Sequence, residues 1–195
     1  CILYDALANP AILDFARPEV EKLFVGKRAG EHSMKQEKIT ELIVAKVKQG
    51  KIVVRLKGGD PSIFGRLSEE IQELKNEDIP YRIIPGISAL NGVTIAGGLL
   101  LTARGVNQSF LTATATTEIL EKDYLKQYAA IKQPVVFFMG LKQLENIVSE
   151  YLNKGWLPET AVAIMSEVYG TKTIRGTLLN ILEKVINSNI ASPAL

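Results

Sequence analysis

Val53-Val54-Arg55-Leu56-Lys57-Gly58-Gly59-Asp60-Pro61-Ser62-Ile63-Phe64-Gly65-Arg66 joins a buried β-branched strand to a glycine-rich turn that ends in a carboxylate and an arginine. Neither glycine carries a Cβ and both tolerate positive φ, so the backbone here can come close to a bound group. Asp60 places a charge at that opening, and Pro61 stiffens the chain behind it. Two local readings stand side by side: a βα turn whose Asp60 caps the next helix, or a ligand cradle. The glycine spacing is not Gly-x-Gly-x-x-Gly, and no Gly-x-x-x-x-Gly-Lys-Ser/Thr loop occurs, so nicotinamide and nucleoside-triphosphate readings drop.

Outward from this stretch, short apolar runs alternate with helical patterns. Strands are expected at Ile2 to Tyr4, Lys22 to Val25, Ile52 to Leu56, Tyr81 to Ile84, Ser109 to Thr112, Val135 to Phe138 and Ala161 to Met165. Amphipathic helices are expected over Met34 to Lys48, Leu67 to Lys75, Leu141 to Leu152 and Leu178 to Ile186. Strand and helix in alternation predict an α/β protein with a mostly parallel sheet covered by helices. Gly97-Gly98 and Thr102-Ala103-Arg104-Gly105 punctuate the middle of the chain, which places a domain boundary near 105 and gives two α/β domains, 1–104 and 105–195.

Composition narrows the function. With 23 basic and 21 acidic residues in 195, the net charge of +2 calls for neither nucleic acid nor a membrane surface. One cysteine excludes an internal disulfide, and one histidine is too few for a histidine-built metal site. The longest apolar run, Ile95 to Leu101, is interrupted by two glycines and is too short to span a bilayer. A cytoplasmic protein without a bound metal is expected. The chain opens inside an apolar run and stops at Ser192-Pro193-Ala194-Leu195, where another strand would start, as a fragment would.

Two further loops follow predicted strands. Ile84-Pro85-Gly86-Ile87-Ser88-Ala89-Leu90 is either a turn with Ser88 capping a helix or a second ligand loop, and ligands of open α/β sheets collect at such strand ends. Val135-Val136-Phe137-Phe138-Met139-Gly140 ends in a thioether that is either core filler or a contact. Asp5 and the pair Lys27-Arg28 each close a strand, as surface charges or as part of a site for an anionic, proton-exchanging substrate.

In order, these residues resemble the tetrapyrrole methylase family. The likeness runs through Leu3-Tyr4-Asp5, Val25-Gly26-Lys27-Arg28-Ala29-Gly30, Val53 to Arg66, Pro85-Gly86-Ile87-Ser88-Ala89, Phe138-Met139-Gly140 and Gly176-Thr177-Leu178. It implies the tetrapyrrole methylase fold, a class III methyltransferase, with S-adenosylmethionine in the cleft between two α/β domains, and a homodimer. Implied cofactor contacts are Gly58, Gly59, Asp60, Ile63, Ser88, Ala89, Met139 and Val168, with Gly170 an alternative to Val168. The implied reaction transfers two methyl groups to C2 and C7 of uroporphyrinogen III, giving precorrin-2 and S-adenosylhomocysteine. By the same resemblance Asp5 is the proton acceptor and Lys27 the donor, with Arg66 and Glu69 as a rival pair. Arg28, Arg66 and Arg104 are expected to meet the substrate's carboxylates, because guanidinium binds them in a bidentate way.

The chain departs from the family where histidines are usual, at Ala103 and Thr116, and has Leu67-Ser68 after Arg66 where two glycines are usual. By the resemblance, the first glycine-rich cofactor loop would precede Cys1. A sister methylase with another substrate, or a non-catalytic relative that binds without turnover, are the competing readings.

Overall fold

A computed structural model describes residues 1–26, 34–116, 123–166 and 172–195. Its contacts divide the chain into two compact units, Cys1–Ser88 and Ala89–Leu195. The sequence-based boundary near 105 falls inside the second unit. Of the glycines that suggested a hinge, Gly97 is packed, with no room for a Cβ beside the Met165 sulfur and the Thr173 hydroxyl and with Arg175 Nη2 donating to its O at 2.7 Å, whereas Gly105 has open space around it.

The first unit is built on three parallel strands, β1 (Ile2–Tyr4), β2 (Lys22–Phe24) and β3 (Val54–Leu56), in the order β2-β1-β3. Helix α1 (Gln36–Lys48) buries Ile39, Ile43 and Val44 at helical spacing, and Gly50 at φ +77° ends it. Leu3 and Val25 meet Ile39 and Ile43 in the core, with Leu23, Leu42, Val53 and Leu74 packed around them. Helix α2 (Leu67–Asn76) follows the glycine-rich turn.

The second unit opens with α3 (Ala89–Ala96). Strands β4 (Leu111–Thr114) and β5 (Val135–Phe138) are parallel, with α4 (Tyr124–Ala130) between them in sequence. A 3-10 turn over Leu141–Gln143 leads into α5 (Leu144–Asn153). Strands β6 (Ala161–Ser166) and β7 (Lys172–Thr177) run antiparallel, and α6 (Ile181–Ile186) ends the helices. Leu125, Ala129, Ile147, Val148, Tyr151, Ile164, Leu178 and Ile181 form the core. A cavity of about 260 Å³ in this unit is lined mainly by apolar groups of β5, β6 and α5, and Tyr151 lies on its wall.

Besides the boundary and a two-residue shift of β4 from its expected range of Ser109 to Thr112, four expectations change. Residues 81–84 are exposed and pair with no strand among the described residues; β-branched composition marks capacity for pairing, and a partner decides it. The sheets are parallel except β6 and β7, a strand pair whose second member was not expected. The last helix starts at Ile181 rather than Leu178, since Asn180 Oδ1 accepts the Thr177 amide at 2.9 Å in a turn that uses up the residues between. Val54, expected in a buried strand, is half exposed, and among the described residues β3 is bonded on one side only.

Candidate functional site

Register brings the site of the first unit together. Tyr4 lies opposite both Phe24 and Leu56, so the chain leaves all three strands at one level and the following residues share one edge. Turn 5–8 from the central strand is held between two glycines. A Cβ on Gly26 would lie 2.5 Å from Ala6 N, and one on Gly58 would lie 2.5 Å from Leu7 Cβ and 2.7 Å from Leu7 O. Both positions need glycine for close approach.

Asp5 sits in that turn. Its Oδ1 accepts the Leu7 amide at 3.0 Å and its Oδ2 accepts Arg55 Nη2 at 3.1 Å, so the carboxylate is fixed by two donors and keeps lone pairs to spare. Behind it lies a group of charges that sequence reading missed. Glu70 Oε1 accepts Lys57 Nζ at 2.9 Å, Gln36 Nε2 at 3.0 Å and Arg55 Nε at 3.3 Å. Two signals pointed to it: Arg55 and Lys57 alternate on one face of the strand end, and Glu70 shares the inward face of α2 with Leu67, Ile71 and Leu74.

The glycine-rich turn is locked to the next loop. Asp60 Oδ1 accepts the Ser62 amide at 2.8 Å and the Ser62 hydroxyl, while Oδ2 accepts the Gly86 amide at 3.1 Å. These donors, the Ser62 hydroxyl foremost, hold the Asp60 carboxyl below its usual range. Gly86 abuts Gly59 O so closely that a Cβ has no space. Asp60 therefore caps no helix: α2 starts at Leu67, and its own cap residue is Arg66. Gly59 stays exposed at φ +76°, leaving bare backbone outward.

Arg66, in the left-handed region at φ 56°, donates from Nε and Nη2 to the two oxygens of Glu69, each at 2.7 Å. The pair keeps the Glu69 carboxyl below its ordinary range and raises the Arg66 guanidinium. Both are about half exposed, so the fork faces solvent. Ile63 is partly exposed and Ser88 buried. In the second unit Ala89 begins α3, and Met139 follows β5 half exposed at φ 58°, a conformation that costs a non-glycine residue roughly 1 kcal/mol or more. Arg104 is exposed in a turn bridged by Ala103 and Asn107. Lys27, Arg28, Val168 and Gly170 lie outside the described residues.

A class III methyltransferase fold is what these units resemble among solved structures. Uroporphyrin-III C-methyltransferase from Thermus thermophilus, complexed with S-adenosylhomocysteine, matches with a TM-score of 0.79 at 30% identity, over 99% of this chain and 82% of that one. A cobalt-precorrin-4 methyltransferase shares the fold, with a TM-score of 0.85 at 24% identity over 99% of this chain and 80% of that one. The profile of the Tetrapyrrole (Corrin/Porphyrin) Methylases matches residues 1–180, and the chain belongs to that family.

Among curated relatives, uroporphyrinogen-III C-methyltransferase of Methanocaldococcus jannaschii is 41% identical over 198 residues, covering all of this chain and 82% of the relative. Siroheme synthase of Psychrobacter cryohalolentis is 37% identical over all of this chain, which spans only 38% of that protein. Uroporphyrinogen-III C-methyltransferase of Bacillus subtilis is likewise 37% identical, with this chain spanning 41% of its length. Among the described residues no helix is long and apolar enough to cross a membrane.

Proposed function

We propose that the chain carries out S-adenosylmethionine-dependent C-methylation of uroporphyrinogen III at C2 and C7, giving precorrin-2 for sirohaem or cobalamin synthesis. The observation that carries this reading is the 41% identity, through the whole chain, to an enzyme of that name. The strand-end geometry supports it.

The first unit suits a cofactor of this kind. Gly59 offers exposed backbone, Ile63 offers partly exposed apolar surface, and Asp60 is already bonded to Ser62 and Gly86, so it stiffens the cradle by joining its two loops. We assign cofactor contacts to Gly58, Gly59, Asp60, Ile63 and Ser88 in this unit, and to Ala89 and Met139 in the other; Val168 keeps its assignment from the sequence. When bound, S-adenosylmethionine supplies an electrophilic methyl group on a sulfonium.

The chain's own residues then have two tasks. One is to hold the ring carbon in near-attack geometry, which supplies much of the acceleration. The exposed arginines Arg66 and Arg104 suit carboxylates of the substrate, and Arg66 must share or exchange its fork with Glu69 to take one. The other task is to accept the proton that leaves the methylated ring, and Asp5 is the base we assign. Its two fixing donors set its direction while leaving acceptor capacity. Lys27 stays assigned as proton donor and Arg28 as a carboxylate partner from the sequence. A homodimer in the cytoplasm completes the proposal, and the near-neutral charge supports the absence of a nucleic-acid partner.

The test is to incubate the protein with uroporphyrinogen III and methyl-labelled S-adenosylmethionine and count methyl groups per ring. Two are expected. Cofactor binding without any transfer overturns the proposal in favour of a non-catalytic relative, and transfer only to another tetrapyrrole overturns it in favour of a sister methylase.

A further inference from the structure

Neighbouring carboxylates on α2 have opposite fates. Glu69 points to solvent and pairs with Arg66, whereas Glu70 points inward and its side chain is 4% exposed. Three donors among the described residues reach the same Glu70 oxygen, Oε1, and two of the three are cations: Lys57, 8% exposed, and Arg55, 13% exposed. Arg55 is the link in this group. Its Nε faces Glu70, its Nη2 faces Asp5 Oδ2 at 3.1 Å, and its Nη1 donates to Leu56 O at 2.7 Å, so all three nitrogens of one planar guanidinium have assigned partners.

We infer that Glu70 is a positioning residue for Asp5, acting through Arg55. The inference rests on the proposed role of Asp5 as proton acceptor. Two cations and two carboxylates make up the cluster, and cations this buried require a counter-charge. With Glu70 present, its carboxylate answers Lys57 and the Nε edge of Arg55. Arg55 then reaches Asp5 through one nitrogen and one oxygen, the other oxygen accepting the Leu7 amide. Without the Glu70 charge, Arg55 and Lys57 have Asp5 as the carboxylate left in the cluster. Asp5 is drawn inward, away from the strand edge where its free lone pairs meet substrate. Gln36, the first residue of α1, donates to the same Glu70 oxygen at 3.0 Å and ties it to that helix.

The experiment measures kcat and KM for methyl transfer to uroporphyrinogen III in the wild type, Glu70→Gln, Asp5→Asn and the double variant. Glu70→Gln is expected to lower kcat by about 10- to 100-fold, the scale of a displaced catalytic group, with KM nearly unchanged. In the Asp5→Asn background the same change is expected to alter kcat by no more than about twofold, because the residue it acts through is already disabled. A merely structural role lowers the folded fraction equally in both backgrounds, so additive losses overturn the inference, as does wild-type kcat in Glu70→Gln. Should Glu70→Gln fail to fold, Arg55→Lys keeps the charge but removes the fork that joins the two carboxylates, and the same non-additivity with Asp5→Asn is expected. If the wild type leaves uroporphyrinogen III untouched, the proposed function fails separately. The ¹³C resonance of the Asp5 carboxyl then reads the positioning directly: a changed resonance in Glu70→Gln supports it, and an unchanged one overturns it.

Discussion

Gly58→Ala tests whether the strand-end site is as tightly built as its geometry says. The added Cβ would lie 2.5 Å from Leu7 Cβ, 2.7 Å from Leu7 O and 2.8 Å from Leu7 C. Carbon atoms in good contact sit roughly 3.5–4.0 Å apart, so one segment must give by about 1 Å. Neither moves freely: Leu7 N is bonded to Asp5, and Gly58 lies between Lys57, whose ammonium is bonded to Glu70, and the turn pinned by Asp60. Overpacking of this kind costs about 1–3 kcal/mol, and breaking the Leu7–Asp5 bond adds a charged hydrogen bond worth about 1.5–3 kcal/mol if the turn yields there instead. The expected result is a lower urea midpoint by far-UV circular dichroism together with a kcat loss greater than tenfold, since the turn that moves carries Asp5. Gly50→Ala is the control. Gly50 has φ +77° with nothing within 4 Å of a Cβ, so alanine there meets backbone strain alone, about 1 kcal/mol, and should leave kcat unchanged. A Gly58→Ala protein with wild-type midpoint and kcat refutes the reasoning.

Four other outcomes are expected. Asp60→Ala frees loop 84–88 from the glycine turn and should weaken S-adenosylhomocysteine binding in calorimetry; an unchanged dissociation constant removes Asp60 from the site. Glu21 is held from its ordinary value near 4.5 down to about 2, chiefly by the Lys46 hydrogen bond and then by that of Lys51. A depressed carboxylate stabilises above its unfolded pKa and loses that contribution as pH falls through the folded one, so the wild-type advantage over Glu21→Gln in urea should shrink from pH 5 toward pH 2, and a constant gap would contradict it. The Tyr151 hydroxyl has no hydrogen-bond partner among the described residues, and burial raises its pKa, so Tyr151→Phe should keep or raise thermal stability by up to about 1 kcal/mol; a clear loss would reveal a partner for it. Ile181 is fully buried in the second core, and Ile181→Ala should cost about 2–5 kcal/mol in denaturant unfolding, with a smaller loss counting against a tightly packed core.

Much of this protein was legible in its sequence because local chemistry acts at short range. Short apolar and aromatic runs placed β1, β2 and β5 to within a residue and β3 to within two, and apolar spacing placed α1 and α2. Gly58 was legible as a place of close approach, since absence of a Cβ is written in the residue type, but what approaches it is Leu7 of the neighbouring turn, and Gly86, expected as a turn residue, abuts Gly59 O. Arg66 and Glu69, named together by the family resemblance as a rival catalytic pair, form a bidentate fork three positions apart. What the sequence left open depends on partners distant along the chain. Residues 81–84 have strand composition and no strand, because pairing needs a neighbour. Asp60 could cap a helix or hold a loop, and an amide 26 positions away decided it. Glu70 drew no reading from the sequence, and the fold turns its neighbour Glu69 to solvent while Glu70 faces Arg55, which reaches Asp5, 65 positions before Glu70. The sequence by itself determined where the backbone comes close and which groups carry charge; only the tertiary structure decided which charges meet, because burial and register, and not residue type, assign a carboxylate its partners.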